Sequence, residues 1–178
     1  MKTITRKYEV FTFEELSQEA KDKAREDFNE FEDFPFLEDD LREYIHEELE
    51  EAGYKEVGEN TTAHHSIEVY YSLSYSQGDG LMFEGTFEDK DGNYFTTKQS
   101  GHYYHSGCTS ITGTDQEGNE IYDDNEAFIK FKEVYEKICD TVEKRGYDEI
   151  EYQRSEEAFA ETCEANGYTF LEDGRMFN

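Results

Sequence analysis

The spacing of apolar residues changes along this chain, and that change decides which class of fold it can adopt. Apolar residues recur every three or four positions in segments 16–31 and 37–49, which places them on one stripe of a helix. Between about residues 64 and 112 they recur at every second position, as in a strand with one buried face. We therefore predict an α+β fold, in which an antiparallel β-meander of about three to five strands packs with about four acidic amphipathic helices.

The first two predicted helices have recognisable ends. Thr12 and Glu15 have the spacing of a capping box, directly after a short predicted strand at Tyr8–Phe13. The second helix runs from about Leu37 to Ala52 and stops at Gly53. The inner stripe of the first helix consists of Leu16, Ala20, Ala24, Phe28 and Phe31.

Short turns divide the middle of the chain into strands. The first strand follows the alternation from Ile67 to Tyr75, and residues 78–80 turn the chain into a second strand near Leu81–Phe87. Asp91-Gly92-Asn93 forms the next turn, and a long third strand then spans about Tyr94 to Thr112.

The C-terminal third predicts two more helices and a hairpin. Apolar spacing from Phe128 to Val142 marks a third helix that ends before Gly146. A fourth helix spans roughly Glu156 to Ala165 and is capped by Asn166-Gly167. Residues 168–177 are predicted to form a small terminal hairpin.

Length and cysteine content bound the class of protein. A chain of 178 residues predicts one domain, residues 1–178, and an aromatic content of 16% predicts an aromatic-rich core. The opening MKTITRKYEV lacks the apolar run of a signal peptide, and Cys108, Cys139 and Cys163 show no CxxC spacing. We therefore expect a reducing cytoplasm, with Cys139 and Cys163 packed as small hydrophobes.

The charge of the chain excludes two classes of partner. With 45 Asp and Glu against 17 Lys and Arg, the formal charge is -28. Such a charge repels phosphate backbones and anionic headgroups, so we predict neither direct nucleic-acid binding nor membrane binding. The acid is also segregated, since residues 14–60 carry a net -14 and residues 115–178 a net -12, whereas the sheet region 61–114 carries only -4.

Acid concentrated on helices predicts a binding surface for a basic protein. Charge runs are usually just solvated, but the second helix has only Arg42 to offset its acids, and such self-repulsion suggests a compensating use. Carboxylates in rows on a helix can imitate the phosphates of a nucleic acid. The predicted contact residues are Glu38, Asp39, Asp40, Glu43, Glu47, Glu48, Glu50 and Glu51, with Asp123, Asp124 and Glu126 as a second patch.

Several motifs resemble a family of small acidic bacteriophage proteins. The specific ones are the SQGDG of residues 76–80 and the GHYYH of residues 101–105, and weaker matches lie at residues 13–21 and 166–170. The resemblance implies a phage or mobile-element origin, a host-cytoplasm setting and a role in overriding host machinery or defence. Some members of that family are labelled antitoxins of a toxin-antitoxin stability system, and the resemblance implies no catalytic residue.

The low-charge sheet region offers an alternative site. Gln77, Asp79, His102, Tyr103 and His105 are its candidate residues, with His64, His65 and Cys108 nearby in sequence. Two histidines and a carboxylate are a known ligand set for divalent metals. The GDG motif is however more typical of a tight turn, in which Asp79 binds neighbouring backbone amides.

We predict an inhibitory, phage-encoded binding protein that blocks a basic, nucleic-acid-binding defence protein of the host through its acidic helices. Common catalytic motifs such as the Walker loop, GxSxG and HExxH are absent, so we predict no enzyme activity, no cofactor, no metal and no catalytic residue. The alternatives are an antitoxin that neutralises a basic toxin and a metal-dependent enzyme that uses the sheet histidines. A partner that recognises sheet tyrosines, such as Tyr70 and Tyr103, is a further alternative.

Overall fold

The computed structural model describes residues 4–29, 34–58 and 65–177. They form two compact units, one built from residues up to 34 and from 148 onward, and the other from residues 35–147. The chain passes from the second unit back to the first within its third helix. The expectation of a single domain, drawn from chain length, stays a prediction.

The larger unit, residues 35–147, is built around an antiparallel sheet. It contains α2 (Leu37–Ala52) and most of α3 (Glu126–Gln153). The described strands are β1 (Lys55–Glu56), β2 (Glu68–Ser72), β3 (Gly80–Glu88), β4 (Tyr94–Gln99), β5 (Thr109–Thr114) and β6 (Glu120–Ile121). The strand order is β1-β3-β4-β5-β6, with β2 also paired to β3, and every pairing is antiparallel. The predicted α+β class is confirmed. Strands β1 and β6 were not predicted, because each has only two residues and these are too few to show the alternation of a strand.

The core of this unit is aromatic. Phe83, Phe87 and Phe95 of the sheet are fully buried and pack against Phe131 and Tyr135 of α3. The rings of Phe95 and Phe131 stack with their centroids 4.4 Å apart. The Tyr135 hydroxyl donates to the Phe83 carbonyl at 3.0 Å, so its polar atom is satisfied inside the core. The predicted aromatic-rich core is confirmed.

The third predicted strand is wrong, because the chain leaves the sheet in its middle. The segment consists of β4 and β5, joined by residues 100–108 with a 3₁₀ turn at Ser106–Cys108. The Ser100 N–H donates to the Cys108 carbonyl at 2.8 Å and closes this loop. The tyrosines of GHYYH are residues common in strands, and that composition hid the loop.

The predicted end of the third helix is also wrong. α3 continues through Gly146 to Gln153. A Cβ atom at Gly146 would lie 2.6 Å from Leu73 and 3.0 Å from Leu41, so this glycine allows close packing of side chains against the helix. Gly53, by contrast, adopts a left-handed φ of +86° and ends α2 as predicted.

The smaller unit joins α1 (Gln18–Asn29) and α4 (Glu156–Asn166). Its buried core consists of Phe13, Leu16, Ala20, Ala24, Phe159, Cys163 and Phe170. The Thr12 N–H donates to the Glu15 carboxylate at 2.8 Å, so the capping box is confirmed. The fourth helix and its left-handed cap at Gly167 are confirmed as well.

The predictions for the first helix and for the two chain ends have different outcomes. The strand predicted at Tyr8–Phe13 is wrong, because only Phe11 pairs, in a single bridge to Phe170. Phe28, assigned to the inner stripe of α1, is 40% exposed, and Phe31 lies outside the described residues. The terminal hairpin is present as a Phe170–Met176 bridge around Gly174.

None of the described helices is long and apolar enough to cross a bilayer.

Candidate functional site

One side of α2 carries most of the acid that the sequence analysis assigns to partner binding. Leu37, Leu41, Ile45 and Leu49 are buried, so the opposite side of the helix faces solvent. We name that side the α2 stripe; it consists of Asp40, Glu43, Glu47, Glu50 and Glu51. Asp40 is half-buried and the other four are exposed. These positions follow from the 3.6-residue repeat, which brings residues three, four and seven apart onto one face.

Arg42 pairs with two predicted contact residues, Glu38 and Asp39, which stay exposed. Its guanidinium pairs with Glu38 at 2.5 Å and with Asp39 at 2.6 Å, and its Nε donates to the Ile67 carbonyl at 3.3 Å. Arg42 is only 6% exposed. The single Lys or Arg of α2 is therefore held on the inner side and does not offset the charge of the α2 stripe.

Three of the five acids of the α2 stripe lack an ion pair among the described residues. Glu47 pairs with Arg145 of α3 at 2.9 Å. Glu43, Glu50 and Glu51 form no ion pair with any described residue. Glu48, also predicted as a contact, is half-buried at the margin of the helix. Glu43, Glu50 and Glu51 thus present to solvent carboxylates that no described Lys or Arg pairs with.

The second acidic patch has a local structural explanation. Asp123, Asp124 and Glu126 are exposed at the start of α3. Asn125 caps this helix, since its Oδ1 accepts hydrogen bonds from the N–H groups of Ala127 at 2.8 Å and Phe128 at 3.3 Å. Acids near a helix N-terminus are stabilised by the helix dipole. Helix capping therefore accounts for this patch without a partner.

Asp79 of the alternative site lies at the centre of a hydrogen-bond network. Its carboxylate accepts six hydrogen bonds of 2.7–3.0 Å, from the side chains of Ser72, Ser74, Ser76 and Tyr147 and from the N–H groups of Ser74 and Ser76. The predicted role of Asp79 in binding backbone amides of a tight turn is confirmed. With its oxygens saturated, this carboxylate has no lone pair in place for a metal or a substrate proton.

The protonation of Asp79 and Tyr147 follows from this network. Desolvation would raise the pKa of Asp79, but the hydrogen bonds from Ser76, Tyr147, Ser72 and Ser74 outweigh it and hold that pKa well below its usual range. Burial, together with the bond to anionic Asp79, raises the pKa of Tyr147 to about 12. Asp79 is thus ionised and Tyr147 neutral across the physiological range.

The SQGDG and GHYYH motifs lie against each other. A Cβ atom at Gly78 would lie 3.3 Å from the Tyr103 ring, and one at Gly80 would lie 2.5 Å from the Tyr104 carbonyl and 2.8 Å from the His105 Cβ. Both glycines therefore permit the close approach of the second loop. Of the candidate residues of the alternative site, Asp79, Tyr103 and His105 lie on segments that contact each other. Gln77 and His102 are exposed.

The described histidines do not converge on a metal centre. Within the described residues, no group of three or more His, Cys, Asp or Glu side chains is placed to hold an ion. His105 contacts Cys108, with 3.4 Å between Nε2 and Sγ. His65 is exposed, and His64 lies outside the described residues.

Tyr147 is the residue of this site that the sequence analysis missed. It lies beyond Gly146, where the helix was predicted to have ended, and it is 68 positions from Asp79 in sequence. Its ring also packs on Tyr75, with 4.7 Å between centroids. The available signal was the apolar spacing of Val142, Gly146 and Ile150, which continues the stripe of α3 past the glycine.

Comparisons of this chain with protein-family models, with curated proteins and with solved structures found no match.

Proposed function

We propose that this chain is an inhibitory binding protein, encoded by a phage, that docks the α2 stripe on the cationic surface of a nucleic-acid-binding host protein. The observation that carries the proposal is that Arg42 is turned inward while Glu43, Glu50 and Glu51 face solvent without an ion pair among the described residues. Because the only Lys or Arg of α2 lies on its buried side, the carboxylates on its outer side are available to bind another molecule.

The dimensions of the α2 stripe suit a surface that binds nucleic acid. From Asp40 to Glu51 the helix rises by about 16 Å. One strand of duplex DNA presents a phosphate every 3.4 Å or so, and therefore about five phosphates over that length. The stripe carries five carboxylates over the same length, of which Asp40 is half-buried and Glu47 is paired with Arg145. Lys and Arg spaced for a phosphate backbone would find similar charge there, with release of counterions on both sides.

Inhibition follows from occupation of the same surface. A partner that holds the α2 stripe in its nucleic-acid channel cannot hold a duplex there at the same time. The saturated carboxylate of Asp79 weighs against the alternative of a metal-dependent enzyme at the sheet. An antitoxin that neutralises a basic toxin would use the same stripe, and it differs only in the identity of the partner.

A displacement assay with matched variants tests the proposal. The chain is immobilised, proteins captured from a nuclease-treated bacterial lysate are purified, and their binding to a labelled duplex is measured with the chain as competitor. We expect the chain to displace the duplex. A triple variant with Glu43→Gln, Glu50→Gln and Glu51→Gln, the α2 triple variant, should lose displacement by about tenfold or more.

The matched control neutralises the same number of exposed acids in the smaller unit, with Glu19→Gln, Glu157→Gln and Glu164→Gln. This control should compete as the unmodified chain does. Equal competition by the α2 triple variant would contradict the proposal. Loss of binding in Tyr103→Ala instead would move the contact to the tyrosines of the sheet, where Tyr103 is 59% exposed.

A further inference from the structure

Cys108 and His105 form a thiol–imidazole pair at the end of the GHYYH loop. The His105 Nε2 and the Cys108 Sγ are 3.4 Å apart. His105 precedes the 3₁₀ turn Ser106–Cys108, and its Nδ1 accepts a hydrogen bond from the Gly107 N–H at 3.1 Å. A nucleophile beside a ring that a third group orients is the arrangement typical of activated cysteines.

The hydrogen bond from Gly107 fixes the tautomer of the His105 ring, that is, which of its two nitrogens carries the proton. An Nδ1 that accepts a hydrogen bond carries no proton, so in the neutral ring the proton is on Nε2. The Nε2–H is then directed at the Cys108 Sγ. Negative charge that develops on the sulfur therefore meets a hydrogen-bond donor already in place.

Two glycines make room for this pair. A Cβ atom at Gly101 would lie 2.8 Å from the Cys108 Sγ, and one at Gly107 would lie 3.0 Å from the His105 ring. Cys108 is half-exposed, whereas Cys139 and Cys163 are 2% and 3% exposed. Burial raises the pKa of both buried thiols, that of Cys163 to about 11, which keeps them in the unreactive thiol form.

We propose that Cys108 is an oxidation site for small, uncharged hydroperoxides, with His105 as its positioning residue. The sulfur attacks one peroxide oxygen, and an S–O bond forms as the O–O bond breaks. The leaving group, hydroxide from hydrogen peroxide or alkoxide from an organic hydroperoxide, takes up the proton that the thiol released, so the products are a sulfenic acid and water or an alcohol. Sulfur is oxidised and the peroxide is reduced, with no other reactant.

The charge of the chain selects among oxidants. A formal charge of -28 repels anionic reagents, while a neutral peroxide approaches without penalty. The proposal is independent of the α2 stripe, since it depends only on the loop of residues 100–108. An added oxygen on a sulfur so close to Gly101 would also crowd that loop, which carries Tyr103 and Tyr104.

Peptide mass spectrometry tests the site directly. The chain is treated with hydrogen peroxide, sulfenic acids are trapped with a cyclic 1,3-dione, and labelling is followed with time at each cysteine. We expect labelling at Cys108, with Cys139 and Cys163 as protected internal controls. His105→Leu should slow labelling of Cys108 at least about fivefold, because it removes a hydrogen bond to a charged group.

Two further variants separate positioning from folding. His105→Gln keeps an N–H donor and should restore part of the rate, while His102→Leu alters an exposed histidine of the same loop and should leave the rate unchanged. The charge effect is measured as the ratio of the alkylation rates with uncharged iodoacetamide and anionic iodoacetate. This ratio should be larger for Cys108 than for a free thiol, and added salt should bring the two ratios closer together.

Labelling of Cys108 no faster than that of the two buried cysteines would overturn the proposal. A rate in His105→Leu equal to that of the unmodified chain, with the helical circular dichroism intact, would overturn the role of His105.

Discussion

Asp79 and the α2 stripe place the same kind of side chain in opposite surroundings. The Asp79 carboxylate accepts six hydrogen bonds from within its own unit. The carboxylates of Glu43, Glu50 and Glu51 receive no ion pair from the described residues. Ionised oxygens that are already satisfied hold a fold together, whereas ionised oxygens left in solvent cost self-repulsion and remain open to a partner.

This difference separates two uses of acid in one chain. The sheet end uses a single carboxylate to hold the turn between β2 and β3 and to join it to α3, through Ser72, Ser74, Ser76 and Tyr147. On α2, by contrast, Glu43, Glu50 and Glu51 are exposed and form no ion pair with the described residues. Substitutions in the first region should therefore change stability, and substitutions in the second should change binding.

The largest effect on stability is expected for Asp79→Asn. The substitution keeps the shape of the side chain but replaces one acceptor oxygen by an NH₂ group that faces donors. We expect the melting temperature to fall by roughly 5–10 °C, measured by circular dichroism at pH 7. Asp91→Asn, at an exposed position in the β3–β4 turn, is the control and should change it little.

The fall of folding stability at acidic pH is a second test of the role of Asp79. Because the pKa of Asp79 is lowered in the folded chain, its contribution is present above its unfolded pKa, about 3.9, and is lost as the pH falls toward the folded value. Asp79→Asn should remove that part of the acid dependence. An unchanged fall of stability at acidic pH in the variant would contradict the role assigned to Asp79.

A smaller effect is expected for Tyr147→Phe, which removes one hydrogen bond to Asp79. The loss should be about 1 kcal/mol. Since the folded pKa of Tyr147 is about 12, its contribution is complete below the unfolded pKa and is lost as the pH rises through the folded value. We expect Tyr147→Phe to flatten the stability curve between about pH 10 and pH 12, in alkaline unfolding followed by far-ultraviolet circular dichroism. The control Tyr103→Phe should leave the curve as it is.

The smallest effect on stability, with the opposite sign, is expected for the α2 triple variant. Like charges three and four residues apart on a helix destabilise it, so their removal should raise the melting temperature by roughly 1–3 °C at low salt. The gain should vanish as salt is added. A clear loss of stability instead would place these acids among the groups that hold the fold.

Local signals in the sequence predicted much of the fold. Gly53 ends α2 and Thr12 with Glu15 caps the first turn, because both features act within a few residues of the chain. The long-range features escaped prediction. Gly146 looks like a helix stop until Leu41 and Leu73 are seen to pack on it, and residues 100–108 look like a strand until Ser100 closes on Cys108.

The candidate sites divide in the same way. The helical period predicted which acids of α2 share a face, but it did not predict that the buried Arg42 would pair with Glu38 and Asp39. The turn role of Asp79 followed from GDG, yet its bond to Tyr147 joins residues that no local pattern connects. The pair formed by His105 and Cys108 depends on a 3₁₀ turn that the strand-like composition of this segment had masked.

The salt dependence of partner binding tests the central claim most directly. The dissociation constant of the captured partner is measured for the unmodified chain and for the α2 triple variant at about 50 mM and about 200 mM NaCl. The account predicts that binding of the unmodified chain weakens at least about tenfold over this range, with a much shallower response in the variant. A response that is flat, or equally steep in both chains, would show that the α2 stripe is not what the partner recognises.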